Sequence, residues 1–351
     1  MTTPLDTRVL QATIGALELF GLYLGDRLGL YAALRRSEPL TPAELAARAG
    51  IHPRYAREWL EQQAVAGVLA VEDASAAAEA RRYRLPAEHA GVLVDPEDAA
   101  HLAPLARMVA GIGRALEEVV AAYRSGGGVP YARYGADFRH GQGGINRPAF
   151  STSLVEAWLP ALHGAAARLA AGGRVADIGC GQGWSAIAVA RRFPAAEVWG
   201  VDTDPASIEE ARAEAARAGA KVRFECADAA ALAGHGPFDV VLLLETLHDL
   251  ARPVETLAAA RRALADGGSL LVADEKVAPA FAAPGDELER MMYGWSITHC
   301  LPTQMVEQPS AALGTVLRED AVRALAARAG FAETRALDVD GGFFRIYELR
   351  P

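Results

Sequence analysis

The residues best suited to chemistry lie in the second half of the chain. Asp177 belongs to the apolar run Arg174–Ile178, and Gly179, Gly181 and Gly183 follow it at alternate positions. A strand, a glycine turn and a helix in succession bring backbone N–H groups against a nucleotide-like ligand. The carboxylate beside this turn favours a ligand with a cationic amino-acid tail and repels a phosphate.

Two further acids follow the next two apolar runs. Asp202 ends the run that covers 197–201, and Asp228 follows the run that covers 222–226. An acid at the tip of the second strand can accept hydrogen bonds from both ribose hydroxyls. S-adenosylmethionine offers a cationic tail for Asp177, a ribose for Asp202 and an adenine amine for Asp228. A dinucleotide site would have a wider final glycine spacing and would lack the first aspartate.

This set of residues closely resembles the class I S-adenosylmethionine-dependent methyltransferases, and the resemblance runs from about Arg174 to the C-terminus. It implies a Rossmann-like sheet and S-adenosylmethionine as cofactor. It also implies that Ala229 and Glu245 join the acids and glycines in binding the cofactor, or that Glu245 orients the neighbouring histidine.

His248 and Asp249 follow the apolar run that covers 238–244. They resemble the His-Asp pair of winged-helix small-molecule O-methyltransferases, in which the histidine removes a proton from a hydroxyl. An imidazole suits that task because its unperturbed pKa lies near neutral pH.

His299 supports an alternative hypothesis. With His248 and Asp249 it would form a two-histidine, one-carboxylate set, which suits iron or another divalent metal. That set resembles the metal-dependent α-keto acid C-methyltransferases, although Pro309–Arg318 fits that group poorly. Without a metal, His299 would be a polar group in the substrate pocket.

Aromatic, methionine and basic side chains are candidates for the substrate pocket, and they favour a small apolar or aromatic acceptor. The candidates are Trp184, Met292 and Trp295, with Tyr131, Tyr134, Phe138 and Arg147 on a predicted glycine-rich lid loop over 129–147.

The elements that position these residues alternate between strands and helices. Strands are predicted at 174–178, 197–201, 222–226, 238–244 and 268–274, with a terminal antiparallel pair over 334–338 and 342–349. The prediction is an α/β fold with a mostly parallel sheet and an antiparallel terminal strand.

The N-terminal part predicts a winged helix. Thr41-Pro42-Ala43-Glu44 is a capping box with a first-turn proline; a second helix covers 53–66, and short strands follow at 68–71 and 82–85. Residues 41–95 hold six Arg and no Lys against eight Asp or Glu. A DNA reader should be basic, so dimerisation and substrate covering are favoured over a transcription regulator that senses S-adenosylmethionine.

The pattern of residues 5–34 predicts a helix that is apolar on nearly every face. Such a helix must be buried against other protein surfaces. A second subunit is the expected cover, which makes the chain a homodimer. Further helices are predicted over 96–124 and 148–171. The predicted domains are 1–125 for dimerisation and substrate covering, 126–150 as lid and linker, and 151–351 for cofactor binding and catalysis.

Composition limits the remaining classes of function. The chain has 351 residues, 51% of them hydrophobic, and a net charge of −9, which argues against nucleic acid as partner. The three cysteines are far apart, so a disulfide framework is not expected. The sequence shows neither a secretory signal nor an apolar run of membrane-spanning length, and a cytoplasmic enzyme of small molecules is expected.

Overall fold

The computed structural model describes residues 3–36 and 38–351. The backbone divides into two compact units. One contains the chain up to Gly113 together with Ala136–Pro148, and the other contains Arg114–Gly135 and Ala149–Pro351. The functions predicted for the three segments of the chain stay predictions.

The first unit contains the predicted winged helix. Thr41 begins α3 with the expected capping box, because its side chain accepts from the Glu44 backbone N–H while Glu44 accepts from the Thr41 N–H. The elements are α1 (Leu5–Arg27), α2 (Leu30–Arg35), α3 (Pro42–Ala49), α4 (Pro53–Val65), β1 (Ala70–Val71), β2 (Tyr83–Arg84), a 3₁₀ turn (Ala87–His89) and α5 (Ala90–Leu93). β1 and β2 pair antiparallel as the wing.

A series of helices connects this region to the sheet. They are α6 (Pro104–Ser125), a 3₁₀ turn (Tyr131–Tyr134), α7 (Gly135–Pro148), a π-helix (Ala149–Trp158), α8 (Leu159–Ala161) and α9 (Ala165–Ala170).

The second unit is built on a seven-stranded sheet. Its strands are β3 (Arg174–Ile178), β4 (Glu197–Asp202), β5 (Val222–Cys226), β6 (Phe238–Leu244), β7 (Leu264–Glu275), β8 (Glu333–Ala336) and β9 (Phe344–Arg350), in the order β5-β4-β3-β6-β7-β9-β8. β3 to β7 are parallel, and β9 pairs antiparallel with both β7 and β8. The predicted sheet and its antiparallel end are confirmed.

Helices cover both faces of the sheet with two apolar cores. They are α10 (Trp184–Arg192), α11 (Pro205–Ala218), α12 (Pro253–Ala263), α13 (Glu287–Trp295), a π-helical turn (Ser296–Cys300), α14 (Leu301–Gln304) and α15 (Glu319–Arg328), with 3₁₀ turns at Ala229–Gly234 and Leu247–Asp249. Strand order reverses between β3 and β6, so their carboxyl ends form the crevice where open α/β sheets bind ligands.

Two predicted helices are shorter than expected. The helix over 5–34 breaks at Gly29, whose φ of +66° is left-handed. The helix predicted from Pro96 begins at Pro104. Before it, the Asp95 and Asp98 side chains accept from backbone N–H groups two residues ahead, and such bonds compete with helix formation.

The prediction of a loop over 129–147 is wrong, because most of these residues form the 3₁₀ turn and α7. Its glycines serve packing. A Cβ on Gly141 would lie 2.8 Å from the Pro104 carbonyl oxygen and from the Met108 nitrogen. The helix predicted over 148–171 is broken, since Leu162 is extended and Gly164 is left-handed.

None of the helices in the described ranges is both long and apolar enough to cross a bilayer.

Candidate functional site

The glycine turn after β3 is held by the tip of β4. Gly179 and Cys180 donate backbone N–H bonds to the Val201 carbonyl, at 2.8 and 3.1 Å. The Gly181 N–H donates to Asp202 Oδ2 at 2.8 Å. All three glycines of the turn have positive φ, which favours glycine. A Cβ on Gly181 would meet nothing within 4 Å, so the turn leaves space for a close ligand there.

The four acids of the predicted cofactor site differ in exposure. Asp177 is buried and accepts from the Ser185 hydroxyl, and burial raises its pKa to about 7. Burial also raises the pKa of Asp202. Asp228 is exposed and caps the following 3₁₀ turn, which starts at the buried Ala229. Glu245 follows β6 with a φ of +50°, an uncommon conformation that often marks functional sites.

This arrangement fits the donor that the sequence predicts. Each carboxylate oxygen has two lone pairs, so Asp202 can accept from ribose hydroxyls while it holds Gly181 and the Asp204 N–H, 2.8 Å away. The individual contacts assigned to these residues stay predictions.

His248 is the centre of a buried polar group. Its Nδ1 lies 2.9 Å from Asp274 Oδ1, and its backbone N–H donates to Asp274 Oδ2 at 3.2 Å. Its Nε2 lies 3.4 Å from Asp249 Oδ1, and Glu275 Oε2 lies 3.8 Å from Nδ1. Asp274 therefore orients the ring, and Nε2 is the nitrogen on the side of Asp249.

These acids control the charge of the ring. Burial by itself would lower the pKa of His248, but Asp274, Asp249 and Glu275 together raise it well above the ordinary value. Burial raises the pKa of Asp249, and raises that of Glu275 strongly. Asp249 Oδ1 and Glu275 Oε2 have no hydrogen-bond partner.

The turn that holds His299 and Cys300 borders this group. The π-helical segment Ser296–Cys300 continues from α13, and π-helical turns are frequent at functional sites. The His299 ring packs edge-on against the rings of Tyr134 and Tyr131, with centroids 4.5 and 5.7 Å apart. Burial lowers the pKa of His299 to about 3 and raises that of Cys300 to about 12.

Two groups among the described residues have ligand atoms close enough for one metal ion. They are His248 with Asp249 and Cys300, and His248 with Asp274 and Glu275. Neither group includes His299, so the set predicted from the sequence is not the one whose ligand atoms converge.

The other predicted pocket residues are divided between the units. Trp184, Met292 and Trp295 lie in the second unit, where Trp184 begins α10 and Met292 is buried on α13. Phe138 and Arg147 lie in the first unit, where Phe138 is buried and Arg147 pairs with Glu97. Their substrate roles stay predictions.

Sequence reasoning missed Asp274, Glu275 and Cys300. Asp274 and Glu275 end β7, at the same sheet edge as Asp202 and His248. The signal that selected Asp202, an acid at the carboxyl end of an apolar strand, could have found both. Nothing in the local sequence marks Cys300.

Comparison with known proteins agrees with this geometry. Residues 175–268 match a family of methyltransferase domains, and residues 16–95 match the Rv2258c-like winged HTH domain. Trans-aconitate 2-methyltransferase from Methylobacterium nodulans is 39% identical over 104 residues, which are 30% of this chain and 39% of that protein. The matched region is thus about two fifths of this curated relative.

Solved structures resemble the whole chain. Human N-acetylserotonin methyltransferase in complex with SAM has a TM-score of 0.70 at 18% identity, over 99% of this chain and 98% of that one. An O-methyltransferase family protein from Burkholderia thailandensis has a TM-score of 0.68 at 18% identity, over 99% and 98%. At this identity the likeness is one of fold.

Fold and site together define a class I methyltransferase architecture joined to a winged helix. The family matches place a methyltransferase domain at residues 175–268 and an Rv2258c-like winged HTH domain at residues 16–95, in agreement with this architecture.

Proposed function

We propose that the protein methylates a hydroxyl oxygen of a small apolar or aromatic molecule, with His248 as general base. The observation that carries this proposal is the buried pair of His248 and Asp274. His248 follows β6, the strand beside β3 and its glycine turn, and Asp274 lies at the end of β7. S-adenosylmethionine supplies an activated methyl group. The acceptor hydroxyl loses its proton to His248 Nε2 as its oxygen takes the methyl group, and S-adenosylhomocysteine leaves.

Asp274 and Asp249 support the base in this proposal. Asp274 accepts from Nδ1–H, which leaves the Nε2 lone pair toward the acceptor, and both carboxylates stabilise the imidazolium that forms. Proton removal by a general base raises the rate roughly 10²–10⁴-fold. Orientation of two reactants contributes about 7–11 kcal/mol, so positioning dominates and His248 assists.

Binding of the donor is the first test. Calorimetry with S-adenosylhomocysteine should give a severe loss of affinity in Asp202→Ala, because the ribose loses its carboxylate. Asp266→Ala removes an exposed acid and should bind like the unaltered protein. Unchanged affinity in Asp202→Ala would refute the ribose assignment, and binding of a nicotinamide dinucleotide instead would end the proposal.

Metal-dependent carbon methylation of an α-keto acid is the second candidate. The observation in its favour is the convergence of ligand atoms from His248, Asp249 and Cys300, a donor set that suits zinc or another transition metal. Metal analysis with and without chelator separates the candidates. Full turnover by metal-free protein excludes this one, and stoichiometric metal that is lost in Cys300→Ser supports it.

A sensory regulator is disfavoured by the charges of the winged helix. Four arginines of the winged helix form ion pairs with acids. The pairs are Arg54–Glu58, Arg57–Glu79, Arg81–Glu61 and Arg82–Glu44. Arginines already paired with acids are poorly suited to phosphates. A gel-shift assay on the upstream DNA should therefore show no specific complex.

A further inference from the structure

The acids around His248 differ from two other buried acids of the molecule, which have arginine partners. Glu348 pairs with Arg335, and Glu289 pairs with Arg318. By contrast, the ion pairs of Asp249, Asp274 and Glu275 within the described residues are all with His248, and no arginine or lysine joins them. Three carboxyl groups thus share one imidazole.

Two oxygens in this group need a donor. Asp249 Oδ1 lies near Nε2 of the His248 ring, and Glu275 Oε2 lies on the side of Nδ1. Both atoms are buried without a hydrogen-bond partner. Buried polar atoms are nearly always satisfied in native structures, and Glu275 is only 4% exposed. A ligand that donates a hydrogen bond to Asp249 would satisfy one of them.

Asp249 is the acid that such a ligand can reach. Its side chain is 25% exposed, whereas those of His248 and Asp274 are 2% and 1% exposed. Tyr131 and Tyr134 pack against His299, Tyr134 also interacts electrostatically with Asp249, and aromatic rings attract cations. An anionic acceptor would meet a group in which three acids face one imidazole at the same place.

We propose that the acceptor carries a basic nitrogen, an ammonium group at neutral pH, which binds Asp249 beside the hydroxyl that is methylated. This inference rests on the proposed function and specifies its substrate class as cationic hydroxylated amines. The ammonium group donates hydrogen bonds to Asp249 and adds a positive charge beside three acids that otherwise share one imidazole. An α-keto acid is an anion at neutral pH and therefore belongs to the opposite charge class.

A series of three catechols that differ in charge tests the proposal. They carry an aminoethyl, a hydroxyethyl or a carboxymethyl side chain, and each is titrated into protein saturated with S-adenosylhomocysteine. The amine should bind about tenfold more tightly than the alcohol, and the acid more weakly than both. In Asp249→Asn the preference for the amine over the alcohol should fall about tenfold.

Glu209→Gln is the matched control, because it removes one negative charge at an exposed position on α11. It should leave the preference for the amine unchanged. An equal loss in both variants would overturn the proposal, since the effect would then be long-range, and so would tighter binding of the alcohol or the acid. If the amine fails to bind while S-adenosylhomocysteine binds, this inference is wrong and the proposed function stands. If S-adenosylhomocysteine itself fails to bind, the proposed function is lost.

Discussion

At the scale of single residues, His248 should assist the reaction without being indispensable. His248→Ala should lower kcat by roughly 10²–10⁴, the range for a lost general base, and leave measurable turnover because donor and acceptor remain positioned. Single-turnover methylation with radiolabelled S-adenosylmethionine would check this. Unaltered kcat would exclude the base, and complete loss of binding would indicate a structural role.

The acids around His248 should set the pH profile. Burial by itself would lower the pKa of His248, but Asp274, Asp249 and Glu275 raise it well above its usual value, and the basic form of the ring grows as pH rises. The value of kcat/KM should therefore increase with pH. Asp274→Asn removes one of the negative charges that raise the pKa of His248. The increase of kcat/KM should therefore occur at lower pH in this variant. A profile that is the same in both proteins would contradict the base assignment.

At the scale of elements, two glycines of one turn should respond differently to substitution. A Cβ on Gly183 would lie 2.7 Å from the Phe224 ring, at a φ of +79°. Gly183→Ala should cost about 2–4 kcal/mol of stability from overpacking and left-handed strain. Gly181→Ala, with open space around it, should cost about 1 kcal/mol yet weaken S-adenosylhomocysteine binding. Urea denaturation and calorimetry measure the two effects. Equal losses of stability would contradict this assignment.

Elements were predictable where local signals decide them. The apolar runs locate β3 to β6, and the capping box of Thr41 begins α3. α7 was missed because its glycines allow contact with α6, which is a tertiary effect. The acid at the end of β7 carried a local signal, but the contact between Asp274 and His248 did not. That contact depends on the register that pairs Leu244 of β6 with Ala273 of β7, and no local pattern states which strands are neighbours.

At the scale of the whole molecule, α1 requires a covering surface. The buried residues of α1 are Gly21 and Gly25, and the Trp59 indole donates to the Gly21 carbonyl at 2.9 Å. Seven large apolar side chains of α1 are exposed instead, namely Leu5, Val9, Leu10, Ile14, Leu17, Phe20 and Leu24. A contiguous apolar surface of this kind marks an interaction site, and we propose that a second copy of the chain covers it.

The test is the mass of the protein in solution, measured by light scattering after gel filtration. The unaltered chain should have twice the 37.0 kDa of one copy. The double variant Ile14→Glu, Leu17→Glu should have the mass of one copy, because two buried carboxylates per chain would each lose their hydration. Gln11→Glu adds charge at an exposed polar position of the same helix and should stay dimeric. A monomeric unaltered protein would show that α1 is covered by something other than a second copy.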